Sequence, residues 1–166
     1  LRAGGAHHEY GDEHQISWLG LGAVGAVTRR LPGLEELWCR GSWPDFEDLH
    51  GPRLRSLTMV SSTLSAEAVG QISRASLPAL TSLELATGDG EYGDSAGLPA
   101  FDTLLREGPE RFPRLRHLGL CNTPFTNELV EALARSRLLP RLRSLDLAQG
   151  LLDDHGAGLL AQHRDA

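Results

Sequence analysis

The sequence predicts an α/β solenoid, with a curved parallel sheet on the concave side and helices and turns on the convex side. Three observations predict it. A block of the form Pro-x-Leu-x-x-Leu-x-apolar recurs five times, starting near residues 32, 52, 78, 113 and 140. Within each block the last two apolar positions alternate with polar ones, the period of a strand buried on one face. Between blocks lie segments with helix-capping residues and helical apolar spacing. Self-similarity recurring every few tens of residues is how a stack of supersecondary units shows itself in sequence.

The leading leucines are Leu34, Leu54, Leu80, Leu115 and Leu142, at steps of 20, 26, 35 and 27 residues. Each block supplies one short strand. Leu37 and Cys39, Leu57 and Met59, Leu83 and Leu85, Leu118 and Leu120, and Leu145 and Leu147 are the expected inward positions, and Cys39 reads as a small core residue. Small residues follow at Ser42, Ser62, Gly88, Thr123 and Gly150. Asn122 stands one place early, so no regular asparagine ladder is expected. Among the returning segments, Ser65 is expected to cap a helix over 66–74 with Val69 and Ile72 inward. Pro99 starts a helix bearing Phe101, Leu104 and Leu105, and Thr126 caps 127–135 with Leu129, Val130 and Leu133 inward. The step of 20 after the first block leaves room only for a turn around residues 44–49, and a helix-like Leu159-Leu160-Ala161 follows the last block.

A partial repeat over residues 1–30 precedes the five blocks. Glu9-Tyr10-Gly11-Asp12 and Glu91-Tyr92-Gly93-Asp94 are the same tetrapeptide, and Leu1 is expected to correspond to Leu85 as the last core residue of a truncated strand. The chain lacks an initiator Met and a clear polar cap at either end, so residues 1–166 read as a single domain that is a section of a longer stack.

Composition narrows the function classes. The content of 40% hydrophobic and 5% aromatic residues calls for an aliphatic core. All 16 basic residues are Arg against 22 acidic ones, and the net charge of −6 argues against a nucleic-acid or anionic-membrane partner. Without Lys there is no Schiff-base or phosphate-loop lysine. Two distant cysteines make neither a disulfide framework nor a zinc spacing, so a reducing compartment, the cytoplasm, is expected. No apolar run is long enough to span a bilayer, and the first residues are not a signal peptide.

The blocks and their returns, over about residues 31–160, resemble the ribonuclease-inhibitor-like class of leucine-rich repeats. More narrowly, Gln15-Ile16-Ser17-Trp18-Leu19, Leu34-Glu35-Glu36-Leu37-Trp38-Cys39-Arg40-Gly41 and Arg111-Phe112-Pro113-Arg114-Leu115-Arg116-His117-Leu118-Gly119-Leu120 resemble a bacterial leucine-rich-repeat family of unknown function. That resemblance implies genes beside radical-SAM and ATP-grasp enzymes, and with them an accessory or substrate role in a modification pathway. It brings no active residues.

The outward strand positions are the candidate site, because a curved repeat stack usually binds through its concave sheet. These are Glu36, Trp38 and Arg40, then Ser56, Thr58 and Val60, Ser82, Glu84 and Ala86, His117, Gly119 and Cys121, and Ser144, Asp146 and Ala148. Partner binding is assigned to Glu36, Trp38, Arg40, Trp43, Thr58, Glu84, His117 and Asp146, since aromatic and Arg anchors are enriched at interface hot spots. The expected function is a non-catalytic interaction module for another protein, with no cofactor or metal. His117 and Cys121 lie about 13 Å apart along one strand, too far for a dyad. His117 is expected near Glu84 and Asp146. Arg55, Arg116 and Arg143 form one column and Arg53, Arg114 and Arg141 another, either a solvated edge or a site for an acidic partner. The stretches 7–14 and 89–94 hold metal-ligand residue types without a diagnostic spacing.

Overall fold

The computed structural model describes residues 2–3, 20–88 and 95–162. Each block is entered by the same four-residue turn. The amides of Leu34, Leu54, Leu80, Leu115 and Leu142 donate to the carbonyls of Leu31, Gly51, Leu77, Phe112 and Leu139 at 2.9–3.1 Å. The block's proline, Pro32, Pro52, Pro78, Pro113 or Pro140, is the second residue of that turn, where its fixed φ pre-sets the bend. The proline of the motif is therefore a turn residue, and the strand begins just after the leading leucine.

The strands so launched are β3 (Glu36–Arg40), β5 (Ser56–Val60), β6 (Ser82–Ala86), β7 (His117–Cys121) and β8 (Ser144–Asp146). With β1 (Arg2–Ala3) they form a parallel six-stranded sheet in the order β1-β3-β5-β6-β7-β8. Register is constant across it. Leu37, Leu57, Leu83, Leu118 and Leu145 stand in one column, and Cys39, Met59, Leu85 and Leu120 in the next. Except for Leu145, all are buried. Ala3, opposite Cys39, is the β1 residue in the second column. The expected equivalence of Leu1 with Leu85 is therefore two residues out of register; the matching tetrapeptides each begin six residues past this column, at Glu9 after Ala3 and at Glu91 after Leu85, and so align Ala3 with Leu85.

Helices close the other side. α1 (Val24–Arg30) precedes β3, α2 (Ala66–Arg74) follows β5, α3 (Asp102–Arg111) follows β6 after a 3-10 turn at Leu98–Phe101, α4 (Thr126–Ala134) follows β7, and α5 (Asp154–Gln162) follows β8. Ser65 caps α2, its Oγ accepting from the Ala68 amide at 3.2 Å, and Val69 and Ile72 are buried. Phe101, Leu104, Leu105, Leu129, Val130 and Leu133 face inward as expected. Thr126 is the first residue of α4 rather than its cap. Its hydroxyl donates to Thr123 O at 2.7 Å and accepts from the Leu151 amide at 2.9 Å, tying α4 to the segment that leads into α5.

The short first step departs most from expectation. Instead of a turn alone, Ser42–Asp45 form β4, paired in parallel with β2 (Gly20–Ala23) in a second, two-stranded sheet. Proline is tolerated on edge strands, and Pro44 lies in a sheet where both strands are edges. The chain then turns at Phe46–Leu49 with no helix before β5. A notch of about 400 Å³ opens there against α2, lined in part by Phe46, Glu67, Gln71 and Arg74. Gln71 bridges it, accepting from the Phe46 amide at 2.8 Å and donating to Asp45 Oδ1 at 3.0 Å.

Successive turns at the far end of the strands also approach closely. Gly88 has φ +86°, and a Cβ there would stand 1.7 Å from Ser62 O, so neither the conformation nor the space admits a side chain.

Candidate recognition face

The register that buries two columns turns the intervening residues to the opposite face in rows. One row reads Glu36, Ser56, Ser82, His117, Ser144, and the next Trp38, Thr58, Glu84, Gly119, Asp146. A third reads Arg40, Val60, Ala86, Cys121. Seven of the eight assigned residues therefore lie on one sheet face. Glu36 and Arg40 are exposed, and Trp38, Thr58, Glu84, His117 and Asp146 are half-buried. Trp43 does not belong to this face. It lies on β4 of the small sheet, 69% exposed and at φ +51°. The chain changes sheet at Gly41, which nearness in sequence to Trp38 does not reveal.

Side chains link across the strands. Glu84 Oε1 lies 3.1 Å from His117 Nε2, and His117 Nδ1 lies 2.8 Å from Ser144 Oγ. Thr58 Oγ1 makes a longer 3.4 Å contact with Glu84 Oε2, so the chain of contacts runs from β5 to β8. With Glu84 ionised and His117 neutral, the carboxylate selects the tautomer with the proton on Nε2. Nδ1 then accepts from the Ser144 hydroxyl. The expected neighbour Asp146 is not His117's partner. It sits one row further on, and its Oδ1 accepts from the Ala148 amide at 2.8 Å. Ser144 stands directly opposite His117 in register. Aligning the blocks on their leucines would have found it.

Gly119 makes room for this arrangement. A Cβ there would come within 2.9 Å of Glu84 Cγ, so a side chain would displace the carboxylate that orients His117.

Ser144, His117 and Glu84 are ordered as a nucleophile, base and orienting carboxylate would be. Acyl transfer also needs donors aimed at the developing oxyanion. The amides of Arg143 and Ser144 both donate to Arg116 O, at 2.7 and 3.1 Å. Neither thiol is activated. Burial, then the negative charges of Asp146 and Glu84, push Cys121 up to about 11, and burial pushes Cys39 to about 11. A thiol with that pKa is almost wholly protonated at neutral pH.

Among the described residues no three His, Cys, Asp or Glu side chains gather as a metal site. The metal-ligand stretches 7–14 and 89–94 lie outside the described residues. No helix among them is long and apolar enough to cross a membrane. Fold and face together define an α/β protein whose parallel sheet is covered by helices on one side and presents polar, titratable rows on the other.

A solved protein shares this fold. The chain is similar to a crystal structure of a Bacteroides fragilis protein from a structural genomics programme, with 32% identity over 93% of this chain and a TM-score of 0.83. The chain spans 44% of that protein's length. No protein-family model matches the chain, and no curated protein matches it.

Proposed function

We propose that the chain is a leucine-rich-repeat solenoid that serves as a protein-binding module, capturing its partner on the six-stranded sheet around Glu36, Trp38 and Arg40. Support for the solenoid comes from five equivalent proline turns, constant register and helical returns, the signs of units that bury their apolar faces only by stacking. The observation that carries the binding site is Trp38 half-buried on the open face between exposed Glu36 and Arg40. A large aromatic flanked by charges is the composition of an interface anchor with a polar rim. The polar row from Thr58 to Ser144 extends the same face with side chains already oriented by one another, which lowers the ordering cost of binding. The net charge of −6 disfavours a nucleic acid as the partner. Free Cys39 and Cys121 suit a reducing compartment, the cytoplasm.

Affinity capture with the wild-type chain and with the W38A/R40A variant tests the site. Both residues protrude from the sheet's open face, so the fold should persist while recovery of the partner falls about tenfold or more, the scale of one lost hot spot. Undiminished recovery by a folded variant would overturn the assignment.

A further inference from the structure

The turns that launch the strands carry arginine at two recurring positions, away from the face. The third turn residue is Arg53, Arg114 or Arg141 in three of the repeats, and the residue after the leading leucine is Arg55, Arg116 or Arg143. Backbone hydrogen bonds set the second group in one row with Glu35 and Thr81. Arg55 N donates to Glu35 O at 2.7 Å, Thr81 N to Arg55 O at 2.8 Å, Arg116 N to Thr81 O at 2.9 Å, and Arg143 N to Arg116 O at 2.7 Å. Arg116 and Arg143 are thus neighbours on adjacent strands, about 4.8 Å apart. Like charges placed so are destabilising unless something neutralises them.

Several of these arginines already have work within the fold. Arg55 reaches Glu35 at 3.9 Å. Arg141 clamps two backbone carbonyls, Pro109 O at 2.6 Å and Pro113 O at 2.9 Å, much as Arg111 holds Arg74 O at 2.7 Å. Arg114, Arg116 and Arg143 make no ion pair with a described residue, and among the described residues the Arg116 side chain bonds only the carbonyl of Leu115. Of the acids on α3, Glu110 is engaged by Arg137, and Glu107 by Arg111 and Arg106. Arg114 and Arg143 are exposed and Arg116 is half-buried.

We propose that Arg114, Arg116 and Arg143, at the rim where β7 and β8 begin, dock an acidic helical segment of a partner protein. Guanidinium groups pair bidentately with carboxylates. Carboxylates at i and i+4 of a helix spring from Cβ atoms about 5–6 Å apart, close to the spacing of Arg116 and Arg143 on their strands. The patch is small and the chain's net charge is −6, so a short acidic segment gains the local attraction, whereas a long polyanion meets overall repulsion. This surface is separate from Trp38 and Arg40, which lie on β3, with β5 and β6 between it and β7.

The test is fluorescence anisotropy with a labelled alanine-based helical peptide bearing glutamates at i and i+4, titrated with the full chain at low and at physiological salt. Saturable binding is expected at low salt, weakening as salt screens the charges. R116E/R143E should weaken it about tenfold or more, equivalent to about 1.4 kcal/mol, and W38A/R40A should leave it unchanged. R143E alone, changing one exposed side chain, should shift affinity in the same direction and guards against misfolding of the double variant. Absence of saturable binding at low salt, undiminished affinity in both charge-reversed variants, or tighter binding of a single-stranded RNA of equal charge would overturn the proposal.

Discussion

Leu83 and Leu145 hold the same position in the same column of the sheet, yet their surroundings differ. Leu83 lies between Leu57 and Leu118 and is fully buried. Leu145 has Leu118 on one side, no further strand among the described residues on the other, and is half-exposed. The leading leucines repeat the contrast, with Leu80 buried and Leu142 half-exposed, and beyond β8 the side chains of Leu151 and Leu152 are 68% and 40% exposed. Identical chemistry in identical register is thus core in one repeat and surface in another. Burial in this sheet comes from the neighbouring strands, so stability is expected to be graded along the strand order.

That gradient can be broken at either end. Leu83→Ala should cost about 3–4 kcal/mol, since a fully enclosed leucine leaves a cavity that the sheet cannot close, whereas Leu145→Ala should cost about 1 kcal/mol. Urea unfolding of the two variants measures the difference, and equal losses would contradict it. Gly119→Ala probes the middle of the face. The added methyl should push Glu84 off His117 for about 1 kcal/mol, visible as a change in the His117 ring resonances.

Helix caps give a smaller version of the same contrast. Ser65→Ala, at the start of interior α2, should cost about 1 kcal/mol. Asp153, exposed beside terminal α5, accepts from the Gly156 and His155 amides at 3.1 and 2.9 Å, and these bonds hold its carboxyl below the usual carboxylate range. Because the folded form is the stronger acid, the carboxylate's contribution is complete above the unfolded pKa of about 3.9 and is lost as pH falls through the lower folded value. Acid should therefore loosen α5 in the wild type, and Asp153→Ala should remove that dependence, as amide chemical shifts along α5 would report.

Much of this organisation is legible in the sequence because repetition multiplies weak local signals. One Leu-x-apolar pair says little, but five in register define the columns, and Val69, Ile72, Phe101, Leu129 and Leu133 follow from helical spacing on the returns. What escaped reading lies where the repeat breaks. Gly20-Leu21-Gly22-Ala23 lacks strand alternation and Pro44 argues against a strand, so only the pairing of the two segments reveals the second sheet. Trp43 was misplaced for the same reason. Seven of the eight site residues fall on one face since parity fixes their direction, while the choice between Ser144 and Asp146 for His117 depended on cross-strand register and on the Ala148 amide that engages Asp146.

Native-state hydrogen exchange tests the central claim most directly, that the face is a stack of repeats each held by its neighbours. Ladder amides of β5, β6 and β7 should exchange only through global unfolding, and those of β8 through a local opening of lower free energy. Protection in β8 equal to that in β6 would contradict it.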